Sequence, residues 1–225
     1  MPDVLFMGMM QREKIRAIFW DNDGVLVDTE GLYYSATQQI LASAGVMLSK
    51  EQYIDLILVQ GKGAWHLVRE QGIPPDRIEQ LRNKRDTLYA KLLKQNSRVM
   101  EGAKETLASL HGRYIMGIVT SSKRGHFELI HRESGLLQYF DFILTGGDYK
   151  KFKPDPEPYL LAVERSGCRK EECVAIEDSE RGLRSAKSAG IGCFVIPTAL
   201  TQTGDFSQAD RVLMNIKDVP LELVH

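Results

Sequence analysis

Short apolar runs alternate with helical periodicities along most of the chain. Residues 15–20 (Ile-Arg-Ala-Ile-Phe-Trp) are bounded by polar residues, the pattern of a buried strand. Similar runs recur at Ile115–Val119, Phe140–Leu144, Cys173–Ile176, Gly192–Ile196 and Arg211–Met214. Between them, Ala103/Leu107/Leu110, Phe127/Ile130, Tyr159/Leu160/Val163 and Leu183/Ala186 fall at helical spacing. Strands alternating with helices predict an α/β fold, a parallel sheet covered on both faces and joined by right-handed crossovers.

Residues 34–99 break the alternation. Ala36, Ile40, Leu41 and Ala44 recur as one helix face, with Gly45 where a helix would stop. Ile78, Leu81, Leu88 and Leu92 mark a longer amphipathic helix after Pro74-Pro75, and Tyr53–Leu58 and Ala64–Val68 also fit helices. With no convincing strand among them, this stretch reads as a helical module, 34–99, inserted into a core made of 1–33 and 100–225.

Composition adds limits. The 225 residues are 43% apolar and 26% charged, with 29 basic and 30 acidic side chains and a net charge of −1. This is the profile of a globular protein, and near-neutrality gives no reason to expect nucleic acid or an anionic membrane as partner. No run approaches the ~18 apolar residues of a spanning helix. The first ten residues lack a basic segment and are broken by Gly8, unlike a signal peptide, and residues 1–8 read as a loose tail or start-site artefact ahead of Met9-Met10. Cys168, Cys173 and Cys193 show no C-x-x-C spacing and read as incidental reduced thiols, which points to a cytoplasmic address.

Candidate chemistry gathers where strands end. Asp21-Asn22-Asp23-Gly24 closes the first run, and residues two apart in extended chain share a side, so Asp21 and Asp23 point together. Like charges so close need a cation or a proton; a bare D-x-D-G could also be a solvated acidic turn. Thr120-Ser121-Ser122-Lys123 places three hydroxyls and a cation before a helix, which suits an anion site or, alternatively, N-capping by Ser121 or Ser122. Prolines 154, 156 and 158 stiffen a loop that fixes Lys153, whereas Lys150 and Lys151 read as solvated. Glu177-Asp178-Ser179 follows a buried run; its acids could serve a metal or complement the dipole of a helix running from Ser179 to Gly190. All four segments lie at carboxyl ends of strands in one sheet and can converge on one cleft. Carboxylates suit a hard cation such as Mg²⁺, and hydroxyls with a lysine suit a phosphoryl group.

These segments resemble the four motifs of the haloacid dehalogenase superfamily: Asp21-x-Asp23-Gly24-Val25-Leu26-Val27-Asp28-Thr29-Glu30, the Thr120 segment, Lys153-Pro154-x-Pro156 and Glu177-Asp178-Ser179. The likeness covers about residues 15–197 and is to the phosphatase branch with phosphoglycolate phosphatases, sugar phosphatases and β-phosphoglucomutases. It implies a Rossmann-like core under a mobile four-helix cap. It further implies that Asp21 is the nucleophile that becomes an aspartyl-phosphate. Asp23 becomes the general acid and then base, a role that needs a raised pKa. Mg²⁺ would be held by the Asp21 carboxylate, the Asp23 carbonyl and Asp178, with Glu177 as a ligand or behind one; Thr120, Ser121 and Lys153 would hold phosphoryl oxygens.

The expected activity is Mg²⁺-dependent hydrolysis of a small phosphorylated metabolite, a sugar phosphate or phosphoglycolate-like acid, by a monomer. Asp23 separates the chain from true dehalogenases, which lack that second aspartate. Tyr33 stands where mutases of the family carry histidine, which favours hydrolysis over the alternative, phosphomutation. A non-enzymatic phosphoacceptor, as in receiver domains, is disfavoured by Asp23 and by the insert. Lys62, in the Gly-Lys-Gly turn before Trp65, is the candidate cap contact to an anionic leaving group or else a solvated lysine, and Trp65 reads as cap core. Asn22 stands where the family is usually apolar, its side chain expected against cap or solvent. His66, His111, His126, His131 and His225 read as plain surface histidines.

Overall fold

The structure is a computed structural model that describes residues 14–223. The loose-tail reading of residues 1–8, and His225, lie outside the described residues.

In chain order the elements are β1 (Ala17–Trp20), β2 (Val27–Asp28), α1 (Glu30–Ala42), α2 (Lys50–Tyr53) running into a π-helical turn (Ile54–Val59), α3 (Trp65–Glu70), α4 (Pro75–Asn96), β3 (Arg98–Val99) and α5 (Ala103–Leu110). There follow β4 (Ile115–Val119), α6 (Arg124–His131), β5 (Phe142–Leu144), α7 (Glu157–Ser166), β6 (Cys173–Glu177), α8 (Glu180–Ala189), β7 (Gly192–Val195) and β8 (Arg211–Val212). Six strands form one sheet in the order β5-β4-β1-β6-β7-β8, every pair parallel. The α/β fold class expected from the alternation is therefore the one observed.

Register sets the site. Trp20 lies opposite Ile118 on β4 and Ile176 on β6, so the next residues of all three strands emerge side by side. Side chains alternate across the sheet. Ile18, Trp20, Ile118 and Ile176 pack in one layer with Leu107 of α5 and Phe127 of α6. Phe19, Val119 and Ala175 pack in the other with Tyr159 of α7 and Leu183 of α8. Such near-continuous apolar runs are what a sheet buried on both faces requires.

The insert has its own core of Leu41, Tyr53, Leu58, Val68, Ile78 and Leu81. The long helix α4 belongs to both: Ile78 and Leu81 face the insert, whereas Tyr89 and Leu93 pack into the main core. Four local expectations differ from what is observed. Helix α1 begins at Glu30, four residues ahead of the predicted insert. The helix predicted over Tyr53–Leu58 is α-helical only to Tyr53 and π-helical beyond it. The strand run at Phe140 shortens to Phe142, because Leu137–Tyr139 form a 3₁₀ turn. A two-residue antiparallel ribbon, Val27 against Val99 and Asp28 against Arg98, ties the two chain passes to the insert; two residues are too few to leave a periodicity. Among the described residues no helix is long and apolar enough to cross a membrane, and the three cysteines are buried and free.

Candidate active site

Asp21 is the first residue beyond β1, held beside β6 by its N–H donating to the Ile176 carbonyl at 2.9 Å. By sheet parity its side chain projects to the α7/α8 face, as does Glu177 at the end of β6. Lys153 enters between them. Its Nζ donates to Asp21 Oδ1 at 2.9 Å, Glu177 Oε1 at 2.7 Å and the Val119 carbonyl at 2.8 Å, using all three ammonium protons. Tyr159 of α7 donates its hydroxyl to the same Glu177 oxygen. Burial works to lower the Lys153 pKa, but the Asp21 and Glu177 carboxylates outweigh it and hold the ammonium above its ordinary value.

Asp178 comes next along the chain and turns back over Gly24. That glycine has φ +87°, and a Cβ there would sit 2.4 Å from Asp178 Oδ2, so both the turn and the close approach require glycine. Gly182, inside α8, permits a close approach of the same kind to Glu177, whose Oε2 would lie 1.8 Å from an added Cβ. One ligand atom each from Asp21, Glu177 and Asp178 lies within 4.8 Å of the others. Burial, with the nearby Glu177 and Asp23 charges and against Lys153, pushes the Asp21 carboxyl up to about 7. Burial, then the Asp21 and Glu177 charges, raises Asp178 well above the carboxylate range. Glu177 Oε2 is buried without a hydrogen-bond partner. Crowded, desolvated carboxylates with an orphaned oxygen fit a hard divalent cation with oxygen ligands, the donor set that Mg²⁺ prefers.

The Asp23 carboxylate receives four donors. Thr29 Oγ1 reaches Oδ1 at 2.5 Å, and Ser122 Oγ, Thr120 Oγ1 and Asn22 Nδ2 reach Oδ2 at 2.8, 3.1 and 3.3 Å. Ser122 thus faces the site and does not cap α6. Lys123 is the N-cap residue of that helix and no side chain caps it, so neither Ser121 nor Ser122 serves as the cap. Ser121 lines the cleft, its Oγ buried close to the Tyr149 hydroxyl.

Two expectations about side-chain environment are corrected. Asn22 does not face solvent: it is fully buried, and its Oδ1 meets His131 Nε2 of the core at 2.7 Å. His131 is accordingly a core residue at the end of α6, not a surface one. His126 is half-buried in the cleft wall, edge-on to Tyr89 at 5.0 Å between ring centres. His66 is partly buried beside Lys62, and His111 is exposed.

The insert roofs the acids over a cleft of about 370 Å³. Its wall includes Glu30, which accepts from the Tyr53 hydroxyl, and Tyr33, which accepts from Arg85 Nη1 at 2.5 Å. Asp86 bridges insert and core, accepting from Arg85 Nε and from Lys123 Nζ of the core, each at 2.7 Å. Arg181, on the first turn of α8, lines the same cleft, its Nε buried and unpartnered. Burial works to lower its pKa, and the Glu30 and Asp21 charges raise it on balance. Thr120, Ser121, Lys153, Asp21, Asp23 and Asp178 all line the cleft with Glu177 beneath, as the strand-end argument expects. Lys62 does not reach it. That residue is exposed on a separate recess with Trp65, His66, Arg69 and Arg82, and Gly61 is the part of its turn that faces the cleft. Trp65 is only partly buried at the edge of the insert core, beneath Arg82 and Arg85. Glu30, Arg85 and Arg181 left no spacing signal; Glu30 lay inside the first motif without a role, and Arg181 two residues past Ser179.

Comparison with known proteins agrees with this geometry. The family model described as haloacid dehalogenase-like hydrolase matches residues 18–196. A phosphorylated carbohydrates phosphatase of Thermotoga maritima is 31% identical over 182 residues, 79% of this chain and 82% of that protein. The fructose-1-phosphate phosphatase YqaB of Escherichia coli is 26% identical over 80% of this chain and 95% of its own. The crystal structure of CbbY from Rhodobacter sphaeroides in complex with phosphate superposes with a TM-score of 0.77 at 26% identity, covering 91% of this chain and 96% of that one.

Proposed function

The chain belongs to the haloacid dehalogenase-like hydrolases, and on that footing we propose that it hydrolyses small phosphate monoesters with Mg²⁺ through a phosphorylated Asp21. The observation that carries this reading is the gathering of Asp21, Glu177 and Asp178, the first two paired with Lys153, beside an Asp23 carboxylate ringed by hydroxyls.

In this reading an Asp21 oxygen attacks phosphorus, and the departing alkoxide takes its proton from Asp23. Asp23 then removes a proton from water as that water attacks the phosphoryl group, releasing phosphate and restoring Asp21. On binding of the ester, Thr120 and Lys153 redirect the hydrogen bonds they otherwise make to Asp23 and Asp21, and with Ser121 they donate to the oxygens on which charge collects. Asp21, Asp178, the Asp23 carbonyl and Glu177 would hold Mg²⁺, which when bound supplies the positive charge that lets two anions meet. Residues 34–99 act as the cap and 1–33 with 100–225 as the core, so the leaving group lies between Glu30, Arg85 and Arg181. That mixture of one acid and two guanidinium groups suits an alcohol with several hydroxyls or a carboxylate, as in sugar phosphates and phosphoglycolate. The Tyr33 hydroxyl is taken up by Arg85, which supports hydrolysis over phosphoryl return to a sugar.

The test is phosphate release from a panel of phosphorylated sugars and acids, with Mg²⁺ or with chelator, by the wild type and Asp21→Asn. Metal-dependent release that vanishes in a folded variant is expected. Equal release by Asp21→Asn would overturn the reading.

A further inference from the structure

Asn22 and His131 form a buried polar pair that no step above uses. Asn22 is fully buried, and His131, the last residue of α6, is 5% exposed. Sheet parity explains the meeting: Asn22 follows Asp21 and falls on the face that α6 covers. Burying an amide and an imidazole where the neighbouring layer is Ile, Leu and Phe is costly unless each polar atom is matched.

Here each one is, and the matching has a direction. The Asp23 carboxylate offers only acceptors on Oδ2, so the Asn22 amide nitrogen must be the group 3.3 Å from it. The Asn22 oxygen then faces His131 Nε2, which must carry the ring proton across their 2.7 Å contact. His131 Nδ1 is left as an acceptor for the Ser134 hydroxyl at 2.9 Å. The chain Ser134, His131, Asn22, Asp23 is thus a line of donors running from the far end of α6 to one carboxylate oxygen. The same Asn22 residue accepts the N–H groups of Leu26 and Val27 on its carbonyl, which pins the turn that presents Asp23.

From this geometry we infer that Asn22, locked by His131, is a positioning residue for Asp23: together with Thr29 on Oδ1 and Ser122 and Thr120 on Oδ2, it fixes the rotation of the carboxyl that meets the leaving-group oxygen. The inference rests on Asp23 being the acid of the proposed reaction. Neither Asn22 nor His131 touches substrate in it, and both act through the orientation of one side chain.

A positioning role for a general acid has a signature that loss of packing lacks. Protonation matters for a poor leaving group and hardly at all for a good one. The experiment compares kcat/KM for p-nitrophenyl phosphate with kcat/KM for phenyl phosphate. This ratio reports steps up to phosphorylation of the enzyme and excludes its later hydrolysis. Asn22→Leu and His131→Leu should lose about tenfold more on phenyl phosphate than on p-nitrophenyl phosphate. His131→Gln, which keeps a donor towards Asn22, should recover most of the difference. Asp23→Asn should show the same selectivity to a greater extent, and thermal melting of each variant records stability separately. His131→Leu and His131→Gln lie outside the cleft and carry the test should Asn22→Leu not fold. Equal losses on both esters in the Asn22 and His131 variants, with selectivity present in Asp23→Asn, would overturn the positioning role alone. Absence of selectivity in Asp23→Asn as well would overturn it together with the assignment of Asp23 as acid.

Discussion

Asp178 lies so close over Gly24 that a single added carbon would stand 2.4 Å from its Oδ2. The turn after Asp21 and the acid that follows β6 are therefore built as one unit. Gly24→Ala must displace Asp178 and also place alanine at φ +87°, a conformation costing about 1–3 kcal/mol. The expected outcome is a melting temperature several degrees lower and a large rise in the Mg²⁺ concentration that half-activates the enzyme. A variant with unchanged metal dependence would show that Asp178 is not a ligand.

Among the described residues, Lys153 is the one cation in contact with both Asp21 and Glu177. Lys153→Met leaves two buried carboxyls without it, a loss that typically costs about 3–5 kcal/mol. Asp21, whose carboxyl is already pushed up to about 7 by burial, escapes the penalty by taking up a proton, so the destabilisation should be smaller at pH 5.5 than at pH 8. Urea midpoints of wild type and variant at the two pH values check the sign, and phosphate release should be abolished at both.

His131 sets a different pH dependence. Burial lowers its pKa from 6.5 to about 4, against the Asp23 charge that raises it. The unfolded chain therefore binds the extra proton first as pH falls. Stability from this residue is complete above pH 6.5 and is lost between 6.5 and 4, about 2 kcal/mol of it by pH 5. Wild type should lose stability over that window faster than His131→Gln, as read by denaturant midpoints; parallel curves would contradict the burial of a neutral imidazole.

Arg181 and Lys62 separate the cleft from the surface. Arg181→Ala removes a guanidinium whose Nε is buried without a hydrogen-bond partner in the cleft wall and should raise KM for a phosphorylated sugar or acid by about tenfold. Lys62→Ala, on an exposed recess, should change kcat and KM by less than about twofold. A KM effect confined to Lys62 would mean that its turn swings into the cleft.

Much of the architecture was legible because it is periodic. The run Ile115–Val119 coincides with β4, and Ser179 and Gly190 bracket α8 as capping chemistry expects. The acids, hydroxyls and lysine converge because all follow buried strands of one parallel sheet. What escaped notice depends on partners distant in the chain. Asn22 and His131 are 109 residues apart, and nothing local marks either as buried. Arg85 and Lys123 share Asp86 across the seam between insert and core, a pairing that only the packing of α4 on α6 creates. Lys62 carries its charge between two glycines, but after the π-helical turn it is Gly61 that faces the cleft while the lysine lies on a separate recess.

The most direct test of the account is chemical trapping at residue 21. A single turnover with Mg²⁺ and a phosphate monoester, quenched in acid and reduced with borohydride, should convert Asp21 to homoserine, detected by peptide mass spectrometry. The conversion should disappear when metal is chelated. Phosphate released at the full rate with Asp21 left unreduced, or with another carboxyl reduced in its place, would contradict the central claim.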